Sequence, residues 1–154
     1  DATLRLGLRD ALDAVHAARR TLILFDRDFA QTGLESSAGI DAIDALARSV
    51  AGDNLVRILL CKAEHIEQRC PRFLKLVERF GNRVRIRIVG EEVPSPDASF
   101  AVADGNVLVT RFHHDRARGK RIDGANAESS RYAAQFETIW MNARSGPSGA
   151  PLGI

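Results

Sequence analysis

Several groups of residues in this chain have the types and spacing for chemistry. The densest is His113-His114-Asp115, a run of proton carriers and metal ligands. Neighbours on an extended chain point to opposite sides, so His113 and His114 do not easily meet at one ion. A metal site there needs Asp26, Asp28 or Glu91 to reach in, because such sites take three or four converging ligands. Around the histidines runs a basic loop of Arg111, Arg116, Arg118, Lys120 and Arg121, diluted by Asp115 and Asp123. Gly119 and Gly124 allow it a close approach to a ligand. Such a loop suits the phosphates of nucleic acid, a lipid head group or a nucleotide, and equally suits a solvated surface loop. Asp26 and Asp28 offer paired carboxylates for acid–base work, with Arg27 and other arginines available as salt-bridge partners. Glu91 and Glu92 are less specific. His16 beside Asp13 and His65 beside Glu64 have no evident catalytic partner in the sequence.

The elements that must position these groups follow from apolar periodicity. Leu4, Leu8, Leu12 and Val15 keep helical spacing and predict a helix over 4–20, with Arg19 and Arg20 at its cation-favouring end. The run 21–25 (TLILF) reads as a strand buried on both faces that leads straight into Asp26. Ser36 or Ser37 can cap a helix carrying Ile40, Ile43, Leu46, Ala47 and Val50. The run 55–61 (LVRILLC) is a second buried strand. Residues 62–69 read as a helical turn or loop, and Pro71 opens a helix with Phe73, Leu74, Val77 and Phe80 on one face. In 83–89 (RVRIRIV), Val84, Ile86 and Ile88 alternate with Arg83, Arg85 and Arg87. That arginine stripe is expected to be a solvated or edge face, with an anion-gripping surface as the other possibility. Asp104-Gly105 between two apolar runs marks a hairpin with a type I′ turn. Residues 113–125 read as a polar loop. Asn126 can cap a last helix with Tyr132, Phe136, Ile139 and Trp140 on its apolar side, and 144–154 read as a flexible tail. Alternating strands and helices predict an α/β fold: a mixed, mostly parallel sheet with helices on both faces, closed by a β-hairpin and a helix.

Composition bounds the rest. At 154 residues the chain fits a single domain, expected over 1–143, that can bury a core without disulfides or metal. Cys61 and Cys70 make no disulfide framework and no Cys or His pair stands at zinc spacing, so neither metal nor cofactor is expected. A formal net charge of +2 is too small to imply nucleic-acid binding by bulk charge, so any such claim rests on the local basic loop. Arginine dominates the basic residues, and its fork suits phosphate and carboxylate. No apolar stretch is long enough to span a membrane and no signal peptide is visible, which makes the cytoplasm the expected location.

The last third carries a family resemblance. Phe100, Val102, Asp104, Gly105 and Arg111, followed by a polar loop and the helical segment 135–143 (QFETIWMNA), resemble the closing segment of a phospholipase D-like domain. The order of elements resembles one half of that fold over nearly the whole chain, and more narrowly a bacterial group of such domains of unknown function. Active members of that superfamily carry H-x-K-x-x-x-x-D on this hairpin. Their histidine attacks phosphorus and their lysine stabilises charge on the phosphoryl oxygens. Aligning Asp104 with the family aspartate puts Asp97 at the histidine position and Ser99 at the lysine position. A carboxylate at Asp97 repels a phosphodiester and Ser99 supplies no cation. No slip of alignment repairs this, since the segment between Glu67 and Phe112 contains no histidine.

The resemblance therefore implies the scaffold without the reaction, and no catalytic residues are assigned. The expected function is a non-catalytic binding or regulatory module for an anionic, phosphate-bearing ligand or nucleic acid, with Arg111, His113, His114, Arg116, Arg118 and Lys120 as ligand-binding residues. Because a family active site is built from two such halves, a homodimer or pairing with another domain is a natural partnership, to which Phe136 and Trp140 can contribute if exposed. Two alternatives stay open: a protein-interaction domain with no anion site, and a phosphodiesterase or nuclease using His113 or His114. The last requires hydrolysis that disappears in His114→Ala. Protein binding through apolar surface should be insensitive to salt, whereas nucleic-acid binding weakens steeply with it.

Overall fold

The computed structural model describes residues 6–90, 92–110, 120–124 and 126–147, with the side chain of Lys120 outside the description. Its elements in chain order are α1 (Leu8–Ala17), β1 (Leu22–Asp26), α2 (Ser37–Ser49), β2 (Val56–Leu60), α3 (Glu64–Arg69), α4 (Pro71–Phe80), a 3-10 turn (Gly81–Arg83), β3 (Val84–Ile88), β4 (Phe100–Ala103), β5 (Val107–Thr110), β6 (Lys120–Ile122), α5 (Ala127–Asn142) and β7 (Arg144–Ser145). The strands form one mixed sheet in the order β6-β5-β4-β1-β2-β3-β7. β1, β2 and β3 run parallel, and antiparallel strands flank them on both sides.

The central strand explains the layering. Every residue of β1 is buried, and alternate side chains serve opposite faces. Leu22 and Leu24 join a core beneath α1, α2, α3 and α4, while Ile23 and Phe25 join a core beneath α5. Ser36 caps α2 by accepting from the Gly39 amide at 3.3 Å, and Asn126 caps α5 by accepting from Ser129 at 2.8 Å.

In the arginine stripe, Arg85 bonds to Asn82 at the surface and Arg83 to the Ala47 carbonyl, but Arg87 departs from the solvated face that was expected. Val84, Ile86 and Ile88 point into the four-helix core, which turns Arg87 toward α5. There Arg87 donates to the Trp140 carbonyl at 2.7 Å and lies 4.4 Å from the Trp140 ring centroid. Arg57 of β2 does the same work from the next strand, gripping the Glu137 carboxylate with two bonds of 2.7 and 2.6 Å and facing the Phe136 and Trp140 rings. Cation–π contact and a two-pronged ion pair fasten α5 where aliphatic contact alone would leave charge against aromatic rings. Phe136 and Trp140 are accordingly buried, and among the described residues the large hydrophobics left exposed are Leu8 and Met141.

Three expectations need correction. The first helix ends at Ala17 rather than Arg20, because the amides of Arg19 and Arg20 bond to Asp104 instead of helix carbonyls. Lys120–Ile122, expected in a polar loop, adds a strand to β5, with Ile122 packed on the α5 core. Arg144–Ser145, expected in the tail, pairs with β3, and the Gly146 amide donates to the Ile86 carbonyl at 2.9 Å, so the sheet runs past residue 143.

Asp104 ties the hairpin to the rest. With Gly105 it occupies positive φ (54° and 77°), as a type I′ turn demands. Its carboxylate accepts the amides of Arg19 (2.9 Å), Arg20 (2.7 Å) and Thr21 (2.9 Å), the hinge between α1 and β1. Burial works to raise this carboxyl, but the amides of Thr21, Arg19 and Arg20 outweigh it and hold it below its ordinary value. Asparagine tolerates the same backbone and keeps one acceptor, so Asp104→Asn isolates the charge. We expect a loss of about 1–2 kcal/mol in urea unfolding at pH 7. A lowered folded value means this stabilisation is present above the ordinary carboxylate range and lost as pH falls below it. The gap between wild type and variant should therefore close in acid, and a gap independent of pH would contradict this account.

Candidate functional site

The two family positions that resemblance assigns to catalysis meet very different fates. Asp97 is exposed on the segment that enters β4. Ser99 is fully buried, and its hydroxyl donates to Asp26 Oδ1 at 2.5 Å. Asp26 ends β1 with 0% exposure. Its other oxygen accepts the Phe29 amide at 2.7 Å and the Asp28 amide at 3.3 Å. Burial is the dominant influence and raises the Asp26 carboxyl above its ordinary value, against the lowering effect of Ser99 and the two amides. Asp28, expected to pair with Asp26 as a second carboxylate, instead follows a sharp bend and accepts the Ala30 amide at 3.1 Å. The bend places Phe29 at φ 74°, a strained value for a bulky residue. Packing of the fully buried Phe29 ring 4.9 Å from Phe73 holds it there. Asp26 and Ser99 thus form a fully buried hydrogen-bonded pair beside a strained stretch of backbone.

The hydrogen-bond network continues outward. Thr110 Oγ1 donates to the Ser99 carbonyl at 2.9 Å, both residues being fully buried. Phe100 pairs with Phe25 and Thr110, and Thr110 with Lys120. The carboxyl end of β1, the start of β4, the end of β5 and the start of β6 thus share one edge of the sheet. Ligands of open α/β sheets gather at the carboxyl ends of the parallel strands.

Of the expected ligand-binding residues, Arg111, His113, His114, Arg116 and Arg118 lie outside the described residues, as does Glu91. Lys120 is placed by its backbone at the start of β6. Arg121 is committed to structure, bonded to Asp13 and Asp123 at 2.7 Å each. A shallow groove between α1 and α2, lined by His16, Arg19 and Asp41 among others, involves none of these residues.

Folding also gathers a group that spacing could not show. Glu35, His65 and Cys70 each bring one ligand atom to within 4.8 Å of the others. Glu35 precedes the cap of α2, His65 lies in α3, and Cys70 joins α3 to α4. Cys70 is buried; burial, with the Glu35 carboxylate beside it, pushes its thiol up to about 11.

Sheet order and hairpin define a phospholipase D-like α/β fold. Residues 7–148 match the family described as domain of unknown function DUF7931, and the chain belongs to it. Its fold is similar to that of Nuc from Salmonella typhimurium, a phospholipase D family member (TM-score 0.57, 12% identity, covering 90% of this chain and 89% of that one). It is also similar to TrmBL2, an archaeal chromatin protein whose structure shows a novel mode of DNA binding (TM-score 0.62, 16% identity, covering 90% of this chain). The chain spans about half the length of TrmBL2. No curated protein matches it. No helix among the described residues is long and apolar enough to cross a membrane.

The Asp26 network has its own pH signature. Asp26→Asn puts an amide NH₂ or a lone acceptor where three donors converge, and should cost about 1–3 kcal/mol in acid. A raised folded value means wild-type stability is fully present below the ordinary carboxylate range and falls as pH climbs toward the folded value. The deficit of Asp26→Asn should thus shrink as pH rises from 4 to 8 in urea titrations, opposite in sign to Asp104→Asn. A deficit that grows over that range would show that Asp26 is stabilised as an anion.

Proposed function

We propose that this domain is a non-catalytic, phospholipase D-like module that binds an anionic, phosphate-bearing ligand, with nucleic acid as the first candidate. The observation that carries this reading is the Thr110 Oγ1 bond to the Ser99 carbonyl. It sets Thr110, the residue next to the basic segment 111–120, against Ser99, the position that the resemblance aligns with the family lysine. Chemistry is disfavoured there by the same bond set. Ser99 is committed to a buried carboxylate, Asp97 brings negative charge where a nucleophilic histidine would stand, and neither supplies a cation. Arg111, Arg116, Arg118 and Lys120, with His113 and His114, then act as phosphate clamps rather than as a reaction centre. The likeness to a DNA-binding chromatin protein supports nucleic acid over a small anion.

Fluorescence anisotropy with short single- and double-stranded DNA at two salt concentrations tests the reading. Binding should tighten at low salt. Replacing Arg116, Arg118 and Lys120 together by Ala should abolish most of it and lower the salt slope by about 2–3. Absence of binding to either form at low salt would overturn the nucleic-acid reading. Binding that survives both the triple substitution and high salt would move the site off this loop and favour a protein-interaction surface.

A further inference from the structure

We propose that Glu35, His65 and Cys70 form a site for a borderline-soft divalent transition ion, Zn²⁺ above all. Glu35 Oε2 and His65 Nε2 are each buried with no hydrogen-bond partner. Buried polar atoms are nearly always satisfied, and two orphans in one cluster call for a common partner. A cation that both can ligate is such a partner, and the Cys70 sulfur completes a set whose ligand atoms lie within 4.8 Å of one another. Around tetrahedral zinc, with bonds of about 2.0–2.3 Å, ligand atoms stand roughly 3.3–3.8 Å apart. Closing from 4.8 Å takes about an ångström, within reach of side-chain rotation.

Donor chemistry selects the ion. One thiolate, one imidazole and one carboxylate suit zinc and its first-row neighbours, whereas calcium and magnesium demand oxygen throughout. Three protein ligands leave a fourth position for water. The fold presets the geometry. A side chain at Gly39 would sit 2.4 Å from the Leu34 backbone, so its absence lets the segment bearing Glu35 lie tight against α2. Ile66, next to His65, is fully buried and fixes α3. Cys70 immediately precedes Pro71 at the first turn of α4. Glu35 and His65 are half-buried, which gives an ion a way in.

Titration of untagged, chelator-treated full chain with Co²⁺ tests the proposal, because thiolate ligation adds a sulfur-to-metal charge-transfer band to the d–d spectrum of a tetrahedral ion. We expect one equivalent of Co²⁺ to develop both features, displacement by Zn²⁺, and a rise in Tm with Zn²⁺. Cys70→Ser should lose the charge-transfer band. His65→Gln and Glu35→Gln, which keep side-chain size, should weaken affinity at least tenfold while the circular dichroism spectrum stays that of wild type, so the loss is not unfolding. Absence of the charge-transfer band from wild type overturns the site. So does metal binding that His65→Gln and Glu35→Gln leave unchanged, which would place the ion elsewhere on the chain.

Discussion

A carboxylate sealed from water at the end of the central strand is the constraint on which this architecture turns. Asp26 would be intolerable there without donors, since an unpaired buried charge or acceptor costs several kcal/mol. Ser99, immediately before β4, and the backbone of the bend after β1 supply them. Satisfying Asp26 thereby joins β1 to β4, the seam at which the parallel half of the sheet meets the antiparallel half. It also forces the left-handed Phe29, whose ring locks into the core against Phe73. One buried group thus fixes strand pairing, loop path and core packing at the edge where ligands of such sheets collect.

The opposite end of the same strand is held by a second carboxylate with opposite electrostatics. Asp104 keeps its charge because amides from the α1–β1 hinge surround it. Asp26 is pushed toward neutrality because burial outweighs its donors. The family position of Asp104 therefore does architectural work.

Much of the fold was legible from periodicity. The buried strands expected over 21–25 and 55–61 and found over 22–26 and 56–60, the Ser36 and Asn126 caps, the Pro71 start and the Asp104-Gly105 turn all follow from local rules that the structure obeys. What local rules missed depends on distant partners. The stripe of Arg85 and Arg87 alternates as a solvated strand would, and only the arrival of α5 gives Arg87 an aromatic ring and a carbonyl to hold. Strands β6 and β7 are too short and too polar to announce themselves; they exist because neighbouring strands offer open edges. Arg121 looked like part of a ligand patch until β6 set it beside Asp13. Of the expected ligand-binding residues, Arg111, His113, His114, Arg116 and Arg118 lie outside the described residues.

The Glu35, His65 and Cys70 cluster was illegible for a different reason. Zinc spacing in sequence is a property of ligands that share one turn or hairpin. Here only His65 and Cys70 are close in sequence, and the carboxylate arrives from before the preceding helix. The signal that exposes it is energetic rather than sequential: two buried polar atoms without partners, in a protein that otherwise satisfies its buried carboxylates with care. Asp26 draws on Ser99 and backbone amides, and Asp104 on the hinge. Arg57 Nε and Ser129 Oγ are likewise buried without a partner, but among the described residues Glu35 and His65 are the two such residues that share a cluster of metal-ligating side chains, where one ion from outside the polypeptide would serve both.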